Sequence, residues 1–435
     1  MDYRITDFGA RTCDVLQTAA IQKTIDTCFL NGGGRVVVPA GIFRTGGVRL
    51  RSNCTLYLET GAYLEGSRDP EDYTGYIDDR IEPIHEYPNE GISRSVYPYS
   101  RWNNALIRVI DAENVSVIGE KGSMIDGRNP YDAQGEEGYR GPHGINVQNS
   151  KKLRFEGYMM RDMGNWAHAI FISSDIVFRN VTVYAGHDGI DVRTCDNVLI
   201  EDCNLTCGDD SIAGYDNNDV LIRRCYFDTA CSAMRFGGNH VLVEDCDAIA
   251  PASFGHRYKL SQAEKETGVV TNANTRHNMH NVFLYYCDHR ADPRKTPGDI
   301  LIRNCRFSGA DRLFSLDYDG RHQWCCNRSL SSIRFENCTA EGLCLPAHIY
   351  GDENEKLTFE LDNVTLAARE GAEDTAIVDA RNYDALRLNN VTFRGYTDAH
   401  IIAHTEGEIE AGIPVRRSDA EKAAETDGME LNRKR

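Results

Sequence analysis

The chain is short of positive charge: 48 Lys and Arg stand against 66 Asp and Glu among 435 residues, a formal net charge of -18. That balance excludes nucleic-acid binding of the kind that needs a broad basic surface, though it allows local basic pockets. A run of about 18 apolar residues, the minimum for a membrane-spanning helix, is also missing. The opening Met1-Asp2-Tyr3-Arg4-Ile5-Thr6-Asp7-Phe8-Gly9 has no basic start leading into an apolar stretch. No membrane partner is expected, and a reducing, cytoplasmic location is. The 15 cysteines lack the CxxC pairing of a zinc or redox site and are expected to be mostly buried free thiols.

What the sequence does hold is a repeat. Asn197-Val198-Leu199-Ile200-Glu201-Asp202-Cys203 returns as Asp219-Val220-Leu221-Ile222-Arg223-Arg224-Cys225 and as His240-Val241-Leu242-Val243-Glu244-Asp245-Cys246. Weaker echoes lie at Lys152–Tyr158, Asp175–Val181, Asp299–Cys305 and Ser332–Cys338. A period near 22 residues, with short β-branched stretches closed by Asn, Asp, Gly or Cys and no helix-length amphipathic pattern, fits one turn of a β-solenoid. The fold expected is all-β, a single right-handed parallel β-helix over residues 1–405. Equivalent residues of successive turns then lie about 4.8 Å apart, so Cys203, Cys225 and Cys246 should form an interior ladder.

A solenoid must cover its open ends, and Gln17 to Leu30 has apolar residues at helical spacing, followed by Asn31-Gly32-Gly33-Gly34. This predicts an N-terminal capping helix, with the cap occupying about 1–34. The glycines precede the strand-like Arg35-Val36-Val37-Val38, an order that makes them a helix stop and not a phosphate loop. Asn-x-Thr triplets such as Asn180-Val181-Thr182 and Asn363-Val364-Thr365 fall inside the repeat and are expected to serve it. Segments 67–105 and 251–280 break the period and are expected to wall a cleft; residues 406–435 read as a charged helical or disordered tail.

Two turns cluster acids: Gly186-His187-Asp188-Gly189 and Gly208-Asp209-Asp210-Ser211. Asp188 and Asp209 are 21 residues apart, so stacking should make them near neighbours, with Asp210 beside them. Crowded carboxylates repel, and at least one should hold its proton to higher pH. Hydrolysis of a glycoside with inversion needs one protonated carboxyl and one ionised carboxylate, about 6.5–9.5 Å apart, and such a cluster supplies both. The competing reading is that Asp and Gly simply build solenoid corners, as Asp216, Asn217 and Asn218 are expected to do.

Across roughly residues 4–340 the sequence resembles the polygalacturonase family, glycoside hydrolase family 28. The resemblance runs through Phe8-Gly9-Ala10, Ala20-Ile21-Gln22, Gly32-Gly33-Gly34, Val37-Val38-Pro39-Ala40-Gly41, Thr45-Gly46-Gly47-Val48-Arg49-Leu50 and Leu58-Glu59-Thr60-Gly61-Ala62. It continues in His187-Asp188-Gly189, which is similar to the family's Asn-Thr-Asp-Gly, and in Gly208-Asp209-Asp210, which matches its Gly-Asp-Asp. It implies inverting hydrolysis with Asp209 as general acid and Asp188 and Asp210 activating water. Where the family carries Gly-His-Gly, this chain has Ala230-Cys231-Ser232, so either Arg235, His256 or another group serves there or the substrate differs. The family's Arg-Ile-Lys grip on a uronate carboxylate resembles Arg257-Tyr258-Lys259, and Trp166, His168 and His187 join Arg235, His256, Arg257 and Lys259 as candidate sugar contacts.

Arg276-His277-Asn278-Met279-His280 has histidines without a partner set, and neither a metal nor a cofactor is expected. The function expected is exo-acting hydrolysis of pectin-derived, uronate-containing oligosaccharides, by a chain for which a homo-oligomer is open. Two alternatives remain: a calcium-dependent lyase in which the carboxylates hold Ca²⁺ and Arg257 abstracts the proton, and a carbohydrate-binding solenoid without turnover.

Overall fold

The computed structural model describes residues 1–74, 101–135, 138–256, 276–287, 295–318, 325 and 328–418. They form a right-handed parallel β-helix in which each turn carries three short strands. One turn runs through His168–Phe171, Ser174–Arg179 and Thr182–Ala185, and the next repeats it as Ile190–Arg193, Asp196–Glu201 and Asn204–Cys207. Strands of the third position make a 12-stranded sheet of their own. The first two positions share a 25-stranded sheet, because Ile212–Arg223 and Ser232–Glu244 run uninterrupted from one face to the next.

The repeat is the register. Ile176, Val198, Val220, Val241, Ile300, Ile333 and Phe359 pair in succession, turn upon turn, and all are buried. Each such side chain contributes about 1.5–3 kcal/mol by leaving water, and stability accumulates mainly between neighbouring turns. The cysteines form the expected ladder: Tyr226, Asp247, Arg306 and Thr339, each just after a ladder cysteine, donate backbone N–H groups to the carbonyls of Cys203, Cys225, Cys246 and Cys305 at 2.9–3.0 Å. All fourteen described cysteines are free thiols, eleven of them buried. The step from Cys225 to Cys246 is one residue shorter than the step before it because a register shift between Gly214 and Asn217 absorbs the difference.

The corners explain the Asn and Asp content. Asn180, Asp202, Asp245, Asn304, Asn337, Asn363 and Asn390 take the left-handed backbone conformation that these residue types tolerate best. Asn363 Nδ2 donates to Asn337 Oδ1 at 2.7 Å and Asn390 Nδ2 to Asn363 Oδ1 at 2.9 Å, so the Asn-x-Thr positions carry an amide ladder.

The helix Thr18–Leu30 buries Ile21, Ile25 and Cys28 against the first turn. Strand Asp2–Arg4 pairs with Gly34–Val38, so the cap also contributes to the sheet. At the other end the sheet passes the boundary expected at 405. Glu408–Glu410 pairs with Tyr383–Asn389, and Val415–Arg417 with Ile401–Ala403, which makes the start of the charged segment a last, polar turn. Among the described residues no helix is long and apolar enough to cross a membrane.

Candidate active site

The acidic turns are the corners between third-position and first-position strands. Gly208 and Gly189 make the corners possible. A Cβ at Gly208 would sit 2.4 Å from the Gly186 carbonyl oxygen and 2.6 Å from that of Gly255, and one at Gly189 would lie 2.7 Å from the Ser211 carbonyl oxygen. Backbone bonds lock the stack: Ala167 N–H donates to the Asp188 carbonyl at 2.9 Å, Gly189 to Asp210 at 3.0 Å and Ser211 to Ser232 at 3.1 Å.

Because Ile190 pairs with Ile212, Asp188 stacks on Asp210, and it is His187 that stacks on Asp209. The row through the corners therefore reads His143, Trp166, Asp188, Asp210, Ser232 and Asn281. The three carboxylates still converge, with oxygens of Asp188, Asp209 and Asp210 within 4.8 Å of one another and each residue at most 3 % exposed.

Two guanidinium groups face them. Arg235 Nε donates to Asp210 Oδ2 and its Nη2 to Asp188 Oδ2 at 3.4 Å, while its plane lies 4.4 Å from the Tyr286 ring centre. Arg140 Nη2 is 3.8 Å from Asp209 Oδ2, and its Nη1 donates to Asn165 at 3.1 Å. Burial pushes the Asp188 carboxyl well up, Asp209 and Asp210 push it further, and Arg235 opposes them. Asp210 is raised by burial against the same guanidinium. Asp188 and Asp210, both raised and both on Arg235, titrate as an interacting pair.

Beside the carboxylates lies an aromatic floor. Trp166 meets Trp102 edge-on at 4.9 Å, and His143 lies 5.3 Å from Trp166. Arg193 pairs with Asp191 through two 2.8 Å bonds and sits 4.6 Å over Trp166. Burial, with Arg140 and Arg193 nearby, lowers the His143 pKa to about 3. His187 stacks with Tyr139 at 6.1 Å. Trp166, His187 and Arg235 therefore lie around the cluster.

His168 is not. It shares a register with Ile190 and Ile212, points into the core between Phe155 and Phe178, and hydrogen-bonds Tyr158 Oη at 2.8 Å and the Gly189 carbonyl at 3.1 Å. Burial lowers its pKa to about 4, so it is a neutral core residue and not a sugar contact. Arg257 and Lys259 lie outside the described residues. His256 does reach the cluster: one donor atom each of Asp209, Cys231 and His256 falls within 4.8 Å of the other two. Such a ligand set was not expected, since positions 209, 231 and 256 follow no motif spacing. Arg140, His143, Arg193 and Tyr286 also went unread, although strand alternation from Asp191 would have placed Arg193 on the outer face.

A family model for glycosyl hydrolases family 28 matches residues 35–281. A probable polygalacturonase of Vitis vinifera is 28% identical over 223 residues, 48% of this chain and 43% of that protein. An exo-poly-alpha-D-galacturonosidase of Dickeya chrysanthemi is 34% identical over 151 residues, 34% of this chain and 23% of that protein. The chain thus spans less than half the length of these two relatives. Among solved structures, the hyperthermoactive exopolygalacturonase of Thermotoga maritima shares the fold with a TM-score of 0.65 at 17% identity, over 91% of this chain and 92% of that one.

Proposed function

The chain belongs to glycosyl hydrolases family 28, and from that premise we propose that it hydrolyses uronate-containing, pectin-derived oligosaccharides from one end, with inversion at the anomeric carbon. The observation that carries this reading is the group of three buried carboxylates whose oxygens lie within 4.8 Å, held by Arg235 on one side and Arg140 on the other. Asp209 protonates the leaving oxygen. Asp188 and Asp210, both on Arg235, orient a water and take its proton. Arg235 opposes the effect of burial on Asp188 and Asp210 together, whereas Arg140 stands 3.8 Å from Asp209, so the first two are assigned as the base and Asp209 as the acid.

The nearest oxygens are closer than the 6.5–9.5 Å or so that usually separates acid and base in inverting enzymes. Two carboxylates acting together on one water relax that requirement, and the stereochemistry of the product is the discriminating result. On the N-terminal side of the cluster Trp102, Arg108, His143, Asn146 and Trp166 are all buried, and end-on action is proposed with this side closed to the sugar chain. The names of the Dickeya and Thermotoga relatives point the same way. An anionic sugar suits Arg140 and Arg235, and Arg257 and Lys259 are proposed as its further contacts.

Incubation with oligogalacturonides, rhamnogalacturonan fragments and neutral oligosaccharides, followed by NMR of the anomeric protons, tests the reading. Inverted monouronate is expected from the first substrate; retained configuration, or no product from any uronide, would sink it. The carboxylate spacing would also admit a divalent ion and hence a calcium-dependent lyase. Loss of activity with chelator, together with unsaturated products, would select that second reading.

A further inference from the structure

Asp209, Cys231 and His256 reach one point from three parts of the chain. Cys231 shares a register with Asp209, because Ile212 pairs with Met234. Thr229 Oγ1 ties the two together, accepting from the Cys231 N–H at 3.1 Å and donating to the Asp209 carbonyl at 2.5 Å. His256 arrives on the insertion that follows the Asp247–Ile249 strand. Its N–H donates to the Arg276 carbonyl at 2.8 Å, and Ala252 N–H to His277 at 2.8 Å, so the segment is clipped back onto the solenoid. The Gly255 carbonyl packs into the space that a Cβ on Gly208 would fill.

We propose that Cys231, His256 and Asp209 form a binding site for a soft divalent cation of the zinc class. Thiolate, imidazole and carboxylate are the three side-chain donors that zinc takes, and three protein ligands leave its fourth position open. Bonds of about 2.0–2.3 Å to a tetrahedral ion put donors about 3.3–3.8 Å apart, so atoms within 4.8 Å need only small side-chain rotations to close. Cys231 differs from the ladder thiols in being half-buried and on the cluster side. Its sulfur distinguishes this set from the all-oxygen group of Asp188, Asp209 and Asp210 and selects zinc over calcium or magnesium. Binding releases the Cys231 thiol proton and the Asp209 carboxyl proton to solvent. Asp209 belongs to both groups, so a bound ion withdraws the general acid. That inhibitory half rests on the hydrolase reading, and the binding half does not.

The test uses the full chain. Co²⁺ is titrated while absorption is followed for a thiolate-to-metal charge-transfer band, and Zn²⁺ binding is measured by calorimetry. One ion per chain is expected, with the band lost in Cys231→Ser and zinc binding weakened in His256→Gln, both variants keeping the wild-type circular dichroism spectrum. Cobalt absorption without the charge-transfer band, zinc binding indifferent to both substitutions, or no binding at all overturns the proposal. A protein that binds Co²⁺ through Cys231 yet hydrolyses no oligosaccharide leaves the metal site standing and removes the hydrolase reading alone.

Discussion

Arg235 joins Asp188 to Asp210, donating Nε to one carboxylate and Nη2 to the other from the neighbouring turn. A buried cation bridging two buried anions lowers the cost of ionising either. Arg235→Gln is expected to raise both carboxyl pKa values, because the positive charge that opposes the effect of their burial is removed. The acidic limb of the kcat profile, which reports deprotonation of the base, should then move to higher pH, and the fold should lose roughly 3 kcal/mol in urea unfolding. An unmoved limb would mean that Arg235 is only a structural pair.

Asp209→Asn keeps the size of the side chain and removes the proton that the mechanism spends. Turnover of oligogalacturonides is expected to fall by about 10²–10⁴-fold with KM little changed. A variant that retains full activity would relocate the acid.

Asp188 carries a cost that its function explains. Its pKa is raised in the fold, so between the ordinary value of 3.8 and that higher value the native state binds more protons than the unfolded chain, and stability falls as pH rises through that window. Asp188→Asn removes the repulsion and is expected to stabilise the protein by about 1 kcal/mol at pH 7, with the gain vanishing below pH 3.8, while turnover is lost. Thermal unfolding at the two pH values checks both signs.

The solenoid was legible because successive turns reuse the same residue types at the same positions, so Cys203, Cys225 and Cys246 reported the period directly. Residues on the outer corner were harder. Counting from Asp188 to Asp209 gave a neighbour, but the register pairs Asp188 with Asp210 and seats His187 against Asp209. His168 looked like a sugar contact because it lies with Trp166 one turn before Asp188, although its partners Ile190 and Ile212 mark an inward position. Arg140 lies in an insertion where the period says nothing, and the meeting of His256 with Cys231 depends on how a long excursion folds back. Local pattern cannot encode either.

His168 offers a test of that assignment. Its folded pKa of about 4 lies below the ordinary 6.5, so the unfolded chain binds the extra proton and stability is lost as pH falls from about 6.5 towards 4. His168→Phe should remove that part of the acid sensitivity. It also leaves the Tyr158 hydroxyl without its partner in the core, at a cost of about 1–3 kcal/mol at neutral pH. Activity per folded molecule should be unchanged, and a selective rise in KM would return His168 to the sugar site.

Gly208 links the carboxylate corner to the His256 segment, and its substitution probes both at once. The Gly186 and Gly255 carbonyl oxygens occupy the space at 2.4 and 2.6 Å where a Cβ would go, and both are backbone atoms that cannot swing aside as a side chain does. Gly208→Ala must therefore displace the corner, carrying Asp209 and Asp210 with it, or push the 251–256 segment away. The stacked turns on either side are held by their own ladders, so the circular dichroism spectrum should persist. Turnover should fall by about 10²-fold, since reacting groups displaced by an ångström lose their alignment. If the 251–256 segment yields in place of the corner, cobalt binding at Cys231 and His256 disappears while hydrolysis survives. Retention of both properties would show that the close packing around Gly208 has no part in placing Asp209.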